Sequence, residues 1–303
     1  MRIVVIVNRK AGSVKSGKVS AESLRQSFLE MGTEAEIHVI PGEQIIETAR
    51  KAVAGGAGVV VAGGGDGTMR AVASVLVNGE VPLGVLPLGT LNHFARDLKI
   101  PMEVEGAVRV ILEGKPYGLD VGDVNGEIFL NNSSLGFYPP IVQVRDQEMR
   151  HTKLNKWVAM AIATFKLLPK LSSLHVRISS GEWQVERRTE LLFVGNAEYQ
   201  MSALHLGAPN RLESGHLYLY LADSRSRLGL VGLALAGLVR DIKHTKSVEY
   251  WRRPEFKVEV RKKGAIPVAF DGEVSRMKSP LHYRKRLRAL RVILPAASAG
   301  SVS

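Results

Sequence analysis

The segment Val59-Val60-Val61-Ala62-Gly63-Gly64-Gly65-Asp66-Gly67-Thr68 joins a buried-type apolar strand to a glycine-rich loop, and a helix is expected to open on that loop. Glycines there admit positive φ and let backbone N–H groups approach an anion, while a helix N-terminus adds favourable partial charge. Such a loop suits a phosphate. Asp66 is the odd member, because a carboxylate beside phosphates repels them unless a cation lies between or the carboxylate handles a proton. The same residues also fit a tight strand-to-helix turn with a capping Asp.

A second loop of the same kind is Leu86-Pro87-Leu88-Gly89-Thr90-Leu91-Asn92-His93-Phe94-Ala95-Arg96, again past a strand and before a helix. In an open α/β sheet, neighbouring loops at the carboxyl ends of strands line one crevice, so two such loops suggest one ligand. Thr90 and Asn92 can donate to phosphate or sugar oxygens, and either can equally cap the following helix. A third stretch, Gly12-Ser13-Val14-Lys15-Ser16-Gly17-Lys18-Val19, approaches the P-loop pattern. Val19 stands where that motif needs a metal-binding hydroxyl, so the stretch reads as a flexible basic loop near the phosphates.

Late in the chain, Phe270-Asp271-Gly272-Glu273 sets two carboxylates around a glycine. A Glu within reach of an acceptor hydroxyl could take its proton, whereas Asp-Gly is also a common turn pair between two strands. The eight His residues show no metal-type spacing, and no zinc site is expected.

The elements that would carry these loops fall into two patterns. Over residues 1–122, strands are expected at Ile3–Val7, Glu36–Ile40, Val59–Ala62 and Leu83–Leu86. Helices are expected at Val19–Glu30, Gln44–Val53 and Met69–Val77, with Gly32 and Gly55-Gly56 as stops. This is an α/β pattern with a parallel sheet. From residue 123 to 286 the pattern turns antiparallel and mainly β. It opens with two strands joined at Asn125-Gly126 and continues through Leu174–Ile178, Leu191–Val194, His216–Leu221 and Phe256–Val260. Trp157–Leu168 and Leu228–Ile242 interrupt it as helices. The apolar run Leu287–Leu294 could join either part, and a loose Ala/Ser tail follows Pro295.

The 303-residue length favours two packed domains, and 45% hydrophobic with 23% charged residues is the make-up of a folded protein. Cys is absent, which removes disulfides and thiolate metal sites and fits a reducing cytosol. A formal net charge of +12 favours an anionic partner: nucleotide, nucleic acid or an acidic membrane surface. The charge lacks the aromatic interleaving of a nucleic-acid motif, so nucleic acid is the weakest of these. Met1-Arg2 leads directly into a strand, so no signal peptide is expected. Leu228–Val239 is too short to span a bilayer. A cytoplasmic protein is expected, with peripheral contact at the inner membrane surface through the basic stretch Arg276–Arg291 or the Leu228–Val239 helix. Each of these also reads as a solvated face or a core helix.

Together, GGGDGT at Gly63–Thr68, PLGTLNHFARDLKIP at Pro87–Pro101 and FDGE at Phe270–Glu273 resemble the diacylglycerol kinase catalytic family, which includes sphingosine and ceramide kinases and soluble bacterial lipid kinases. The resemblance extends to Val7-Asn8 with Ala11-Gly12, to Phe129-Leu130-Asn131-Asn132 with Leu135-Gly136, and to Leu287–Pro295, and so to nearly the whole chain. It implies an amino-terminal nucleotide domain, to which the last strand returns, a carboxy-terminal β-sandwich domain, and transfer of a phosphoryl group from ATP with Mg2+ to a lipid hydroxyl in the cleft between them. The acceptor would be diacylglycerol or sphingoid-like, and a homodimer is left open. Carried over by position, Asn8, Gly64, Gly65, Asp66, Gly67, Thr68, Thr90 and Asn92 would bind nucleotide, with Asp66 near the phosphates and magnesium and Glu273 as general base.

Two positions depart from the family. Many members carry Asp where His93 stands, and His cannot replace a carboxylate that orders magnesium-bound water. Arg211, Ser214 and His216 fall where the family holds a structural magnesium, yet Ser214 precedes Gly215 where an Asp is usual; Glu213 or Asp120 are the candidates to compensate. Two alternatives therefore stay open: a soluble-substrate kinase of the NAD kinase type, and a catalytically idle regulator that binds nucleotide or lipid.

Overall fold

The computed structural model describes residues 1–136, 139–140, 144, 173–198, 214–222, 248–262 and 264–295. The chain divides into two compact units, Met1–Val121 with Arg286–Ser303, and Gly122–Lys285. The first is α/β with a parallel sheet and the second holds an antiparallel sheet of its own, which is the fold class expected from the hydrophobic patterning.

In chain order the first unit contains β1 (Ile3–Asn8), α1 (Gly12–Lys15), α2 (Ala21–Glu30), β2 (Glu36–Ile40), α3 (Ile45–Ala54), β3 (Val59–Gly64), α4 (Asp66–Leu76), β4 (Leu83–Pro87), α5 (His93–Asp97) and α6 (Val104–Glu113). The strands lie in the order β2-β1-β3-β4, all parallel, with Val5 opposite Val61 and Ala62 opposite Val85. Every residue of β3 and β4 is buried, as a parallel sheet covered on both faces requires. The helix α2 packs on β2 and against α6, which lies on β4. The pair α3 and α4 packs together over β1 and β3. Leu24 and Phe28 of α2 and Ala107, Val108 and Ile111 of α6 are buried. Their spacing of three and four residues puts each set on one helix face.

Local chemistry sets several helix ends. Ser20 caps α2 reciprocally with Ser23: each backbone N–H donates to the other's hydroxyl, at 3.0 Å and 2.9 Å. Gly32 and Gly56, beyond the ends of α2 and α3, take φ of 73° and 76°, the left-handed conformation that glycine tolerates. The stretch 12–19, read as a flexible loop, instead begins with a one-turn helix, and the Ser13 N–H donates to the Leu88 carbonyl at 3.1 Å. That tertiary bond joins residues far apart in the chain, so no local pattern marks it.

Two strands run from one unit into the other: β5 (Lys115–Val124) and the last strand, β16 (Leu281–Leu294). Within the first unit, β16 pairs in parallel with β4 through Val292 and Leu83. The rest of the second unit comprises β6 (Glu127–Phe129), β7 (Asn132–Gly136), β8 (Leu174–Ser180), β9 (Trp183–Thr189), β10 (Leu191–Gly195), β11 (Leu217–Ala222), β12 (Val248–Arg253), β13 (Glu255–Val260), β14 (Ala265–Phe270) and β15 (Glu273–Lys278). One antiparallel sheet has the order β12-β11-β10-β7-β14-β15, and the start of β16 pairs with β13, β13 with β8 and β8 with β9. The apolar side chains of both sets share one core that includes Phe129, Leu135, Ile178, Leu219, Phe256, Phe270 and Tyr283. Asn125 and Gly126 take φ of 50° and 93°, the pair of positive values that a two-residue hairpin turn demands. The helices expected at Trp157–Leu168 and Leu228–Ile242 lie outside the described residues.

Phe28 is completely buried beneath the sheet, so Phe28→Ala leaves a cavity that its neighbours cannot fill. The expected loss is ~3–5 kcal/mol of unfolding free energy in a urea titration followed by circular dichroism.

Candidate functional site

The ends of β1, β3 and β4 carry the residues of the first unit that the sequence singled out. Gly64 ends β3 and pairs with Pro87 at the end of β4, so the two glycine loops leave adjacent strands side by side. The N–H groups of Leu88 and Gly89 both donate to the Gly64 carbonyl at 3.1 Å. A Cβ on Gly89 would fall 2.7 Å from Asn92 Oδ1 and 2.9 Å from the Gly65 nitrogen, so the backbones of the two loops meet with no room for a side chain. At Gly64 an added Cβ would collide with the Thr68 side chain.

Gly65 is extended and forms the N-cap of α4, whose first residues are Asp66, Gly67 and Thr68. Thr68 is buried, and its hydroxyl accepts a hydrogen bond from Asn8 Nδ2 at 3.2 Å across from the end of β1. The first N–H groups of a helix have no intrahelical acceptor, so the start of α4 offers donors where the glycines allow close approach. Asn8, Gly64, Gly65, Gly67 and Thr68 thus stand together. Thr90 is exposed on the second loop, and a Cβ on Gly12 would lie 3.6 Å from its hydroxyl, which sets the turn of α1 on the other side.

Asp66 and Asn92 are tied into the loops themselves. The Asp66 carboxylate accepts the N–H groups of Phe94 at 2.9 Å and His93 at 3.3 Å, holding the start of α5 against the start of α4. Asn92, left-handed at φ 51°, accepts from Gly89 N–H at 3.0 Å and donates through Nδ2 to the carbonyls of Gly89 at 3.0 Å and Pro87 at 3.2 Å. Its side chain gives the second loop its shape. Sequence reasoning passed over Asp97, the last residue of α5. Burial, and after it the neighbouring Asp66 charge, pushes the Asp97 carboxyl up to about 7.

In the second unit, Glu273 is the exposed first residue of β15 and pairs with Phe270 across the turn Asp271-Gly272, whose φ values are 46° and 85°. Ser214 and His216 form a local turn: the Ser214 hydroxyl accepts the His216 N–H at 3.3 Å, and His216 Nδ1 lies 2.7 Å from the Ser214 carbonyl oxygen. Arg211 lies outside the described residues. Among the described residues no three His, Asp or Glu side chains converge as metal ligands. Likewise, no described helix is long and apolar enough to cross a membrane.

The chain matches the family model described as "Diacylglycerol kinase catalytic domain" over residues 2–124. It is 30% identical over 312 residues to the Pseudomonas aeruginosa protein named "Probable lipid kinase YegS-like", covering 98% of this chain and 95% of that protein. A protein named "Diacylglycerol kinase" from Staphylococcus haemolyticus is 29% identical over 196 residues, 63% of this chain and 58% of that one. Among solved structures, a diacylglycerol kinase from Bacillus anthracis str. Sterne superposes over 98% of both chains with a TM-score of 0.69 at 18% identity. That likeness is one of fold.

Two outcomes follow from the loop geometry. Gly89→Ala forces the two loops apart and is expected to weaken any binding of inorganic tripolyphosphate ~10-fold or more by calorimetry, with the fold retained. The second concerns Asp97, which in the unfolded chain ionises near 3.8 and in the folded chain near 7. The folded state therefore keeps a proton that the unfolded state releases between these values, and stability falls as pH rises through that window and levels off above it. Asp97→Asn removes the fall, with a gain on the order of 2–4 kcal/mol at pH 8 and little change near pH 4 in denaturant titrations.

Proposed function

We propose, from the premise that this chain belongs to the diacylglycerol kinase catalytic family and is a lipid kinase, that it transfers the γ-phosphoryl group of ATP to the hydroxyl of a diacylglycerol or sphingoid-like lipid. The observation that carries the reading is the backbone contact between Gly65 and Gly89, which joins two glycine loops at the start of α4. Loops of this kind present N–H groups to a polyphosphate and leave space for it where side chains would otherwise stand.

In this reading Asn8, Gly64, Gly65, Gly67, Thr68 and Thr90 contact the nucleotide, and Asn92 holds the second loop in the shape that receives it. Phosphoryl transfer passes through a loose transition state, so fixed donors and charge neutralisation supply most of the rate. Mg2+ fits the donor set as an ion that arrives on the triphosphate, since magnesium keeps most of its water and needs only one or two protein carboxylates. Asp66 would be its carboxylate, and the ion supplies neutralisation of the phosphate charge. Glu273 takes the proton of the acceptor hydroxyl. The structural ion of the family is assigned by position to Arg211, Ser214 and His216. In the second unit the exposed Arg276, Lys278 and Arg284 suit contact with an anionic membrane surface.

The test is ADP release from ATP and Mg2+ with dioleoylglycerol or sphingosine in mixed micelles, run beside NAD as a soluble acceptor and followed by mass identification of the product. Lipid-dependent ADP release is expected. Release with NAD alone would favour a soluble-substrate kinase, and ATP binding without turnover on any acceptor would favour an idle regulator. Glu273→Gln is expected to slow the lipid reaction ~100-fold or more while leaving a residual rate, because the base is one contribution among several.

A further inference from the structure

The Asp271-Gly272 turn needs a residue that tolerates positive φ, and Asn or Gly would serve there as well as Asp. What those residues lack is a carboxylate. Asp271 Oδ2 accepts the Leu130 N–H at 2.8 Å, and Oδ1 accepts the N–H groups of Asn131 and Asn132 at 2.8 Å and 3.0 Å. In return the Asp271 N–H donates to the Asn132 carbonyl at 2.9 Å. The tip of the β14–β15 hairpin is thereby fastened to the segment between β6 and β7, far away in sequence.

That segment is gripped from its other side by Asn196, which is 1% exposed. Asn196 Nδ2 donates to the Leu130 carbonyl at 2.9 Å, and the Asn196 N–H donates to the Asn131 carbonyl at 2.8 Å. The Leu130 carbonyl and the Asn131 N–H belong to one peptide group, as do the Asn131 carbonyl and the Asn132 N–H. Each of these peptide groups accepts from Asn196 and donates to Asp271. Behind Asn196 lies the Lys285 ammonium, on a residue only 9% exposed, which donates to the Asn196 backbone carbonyl and to Oδ1 at 2.8 Å.

A directed relay therefore runs from a buried ammonium, through the Asn196 amide and the peptide groups of 130–132, to the Asp271 carboxylate. Its unbroken line passes head to tail through the Asn196 side-chain amide and the 130–131 peptide group. Bonds in such a chain polarise one another, and a low dielectric strengthens them. Stability alone gives little reason for it, since buried charges cost much of what their partners return and apolar replacements are often as stable. The relay ends two residues from Glu273.

Given the reading of Glu273 as the base, we infer that Asp271 is a positioning residue for phosphoryl transfer: held by the relay from Lys285 and Asn196, it fixes the turn that presents Glu273 to the acceptor hydroxyl. Asp271→Asn keeps the turn but sets an NH2 group or a neutral oxygen against three donors, so the tip should shift while the fold persists.

The experiment measures ATP turnover on dioleoylglycerol and sphingosine micelles for D271N, E273Q, the double variant and K285M. The expected result is a kcat loss of ~10- to 100-fold for D271N with the KM for ATP nearly unchanged, because a small displacement of a reacting group costs about that much. In the E273Q background the same substitution should cost little, since the residue it positions is already disabled. K285M, which leaves the hairpin intact, should also lower kcat and not the affinity for ATP, and it carries the test if D271N does not fold. Full kcat in D271N or K285M, or an equal loss with and without Glu273, overturns the inference while leaving the base in place. Full kcat in E273Q overturns the base reading itself, and the inference with it.

Discussion

Two loops that touch through glycine backbone are the constraint on which the end of the first unit at the carboxyl edge of β3 and β4 depends. Parallel pairing of β3 and β4, with Gly64 opposite Pro87, delivers the loops to the same edge, and the absence of side chains at Gly65 and Gly89 lets them close on one another. The Asp66 carboxylate then fastens the start of α5 to the start of α4. Two helix N-termini are thus held side by side by one acidic side chain and two missing Cβ atoms. The surrounding apolar sheet, buried on both faces, holds in place the two strands that carry these loops.

The acidic side chains at this end form a coupled set. The Asp66 side chain is engaged with amides, and its neighbour Asp97 ionises with difficulty, first because it is largely withdrawn from water and second because it faces Asp66.

The second unit solves a different problem. Its core is apolar and closes around Phe129, Phe256 and Tyr283, with the Tyr283 hydroxyl bonded to Ser133 at 3.1 Å. Besides this apolar core the unit holds the polar line from Lys285 to Asp271. Apolar burial drives the sandwich together without specifying the position of a hairpin tip to a fraction of an ångström. Directional hydrogen bonds to backbone do specify it, because each has a narrow range of distance and angle. The unit thus draws its stability from one kind of contact and the placement of its FDGE turn from another.

By itself the sequence determined whatever depends on short-range patterning. The apolar runs at Ile3–Val7, Glu36–Ile40, Val59–Ala62 and Leu83–Leu86 became β1 to β4 with ends moved by a residue or two, and the Asn-Gly and Asp-Gly pairs became turns with positive φ. The spacing of Val104, Ala107, Val108 and Ile111 also marked α6, a readable signal that went unused. By contrast, β9 hides its strand character under charged residues on an exposed face, and α4 begins at Asp66 among glycines that local propensity counts against a helix. The links that shape the sites were decided only in three dimensions. Asp66 meets Phe94, Asn8 meets Thr68, and Lys285 reaches Asp271 through Asn196, across separations that no local rule connects. Propensity and periodicity record how a residue fits its own helix or strand, whereas a hydrogen bond between distant loops exists only once packing has brought its two ends together.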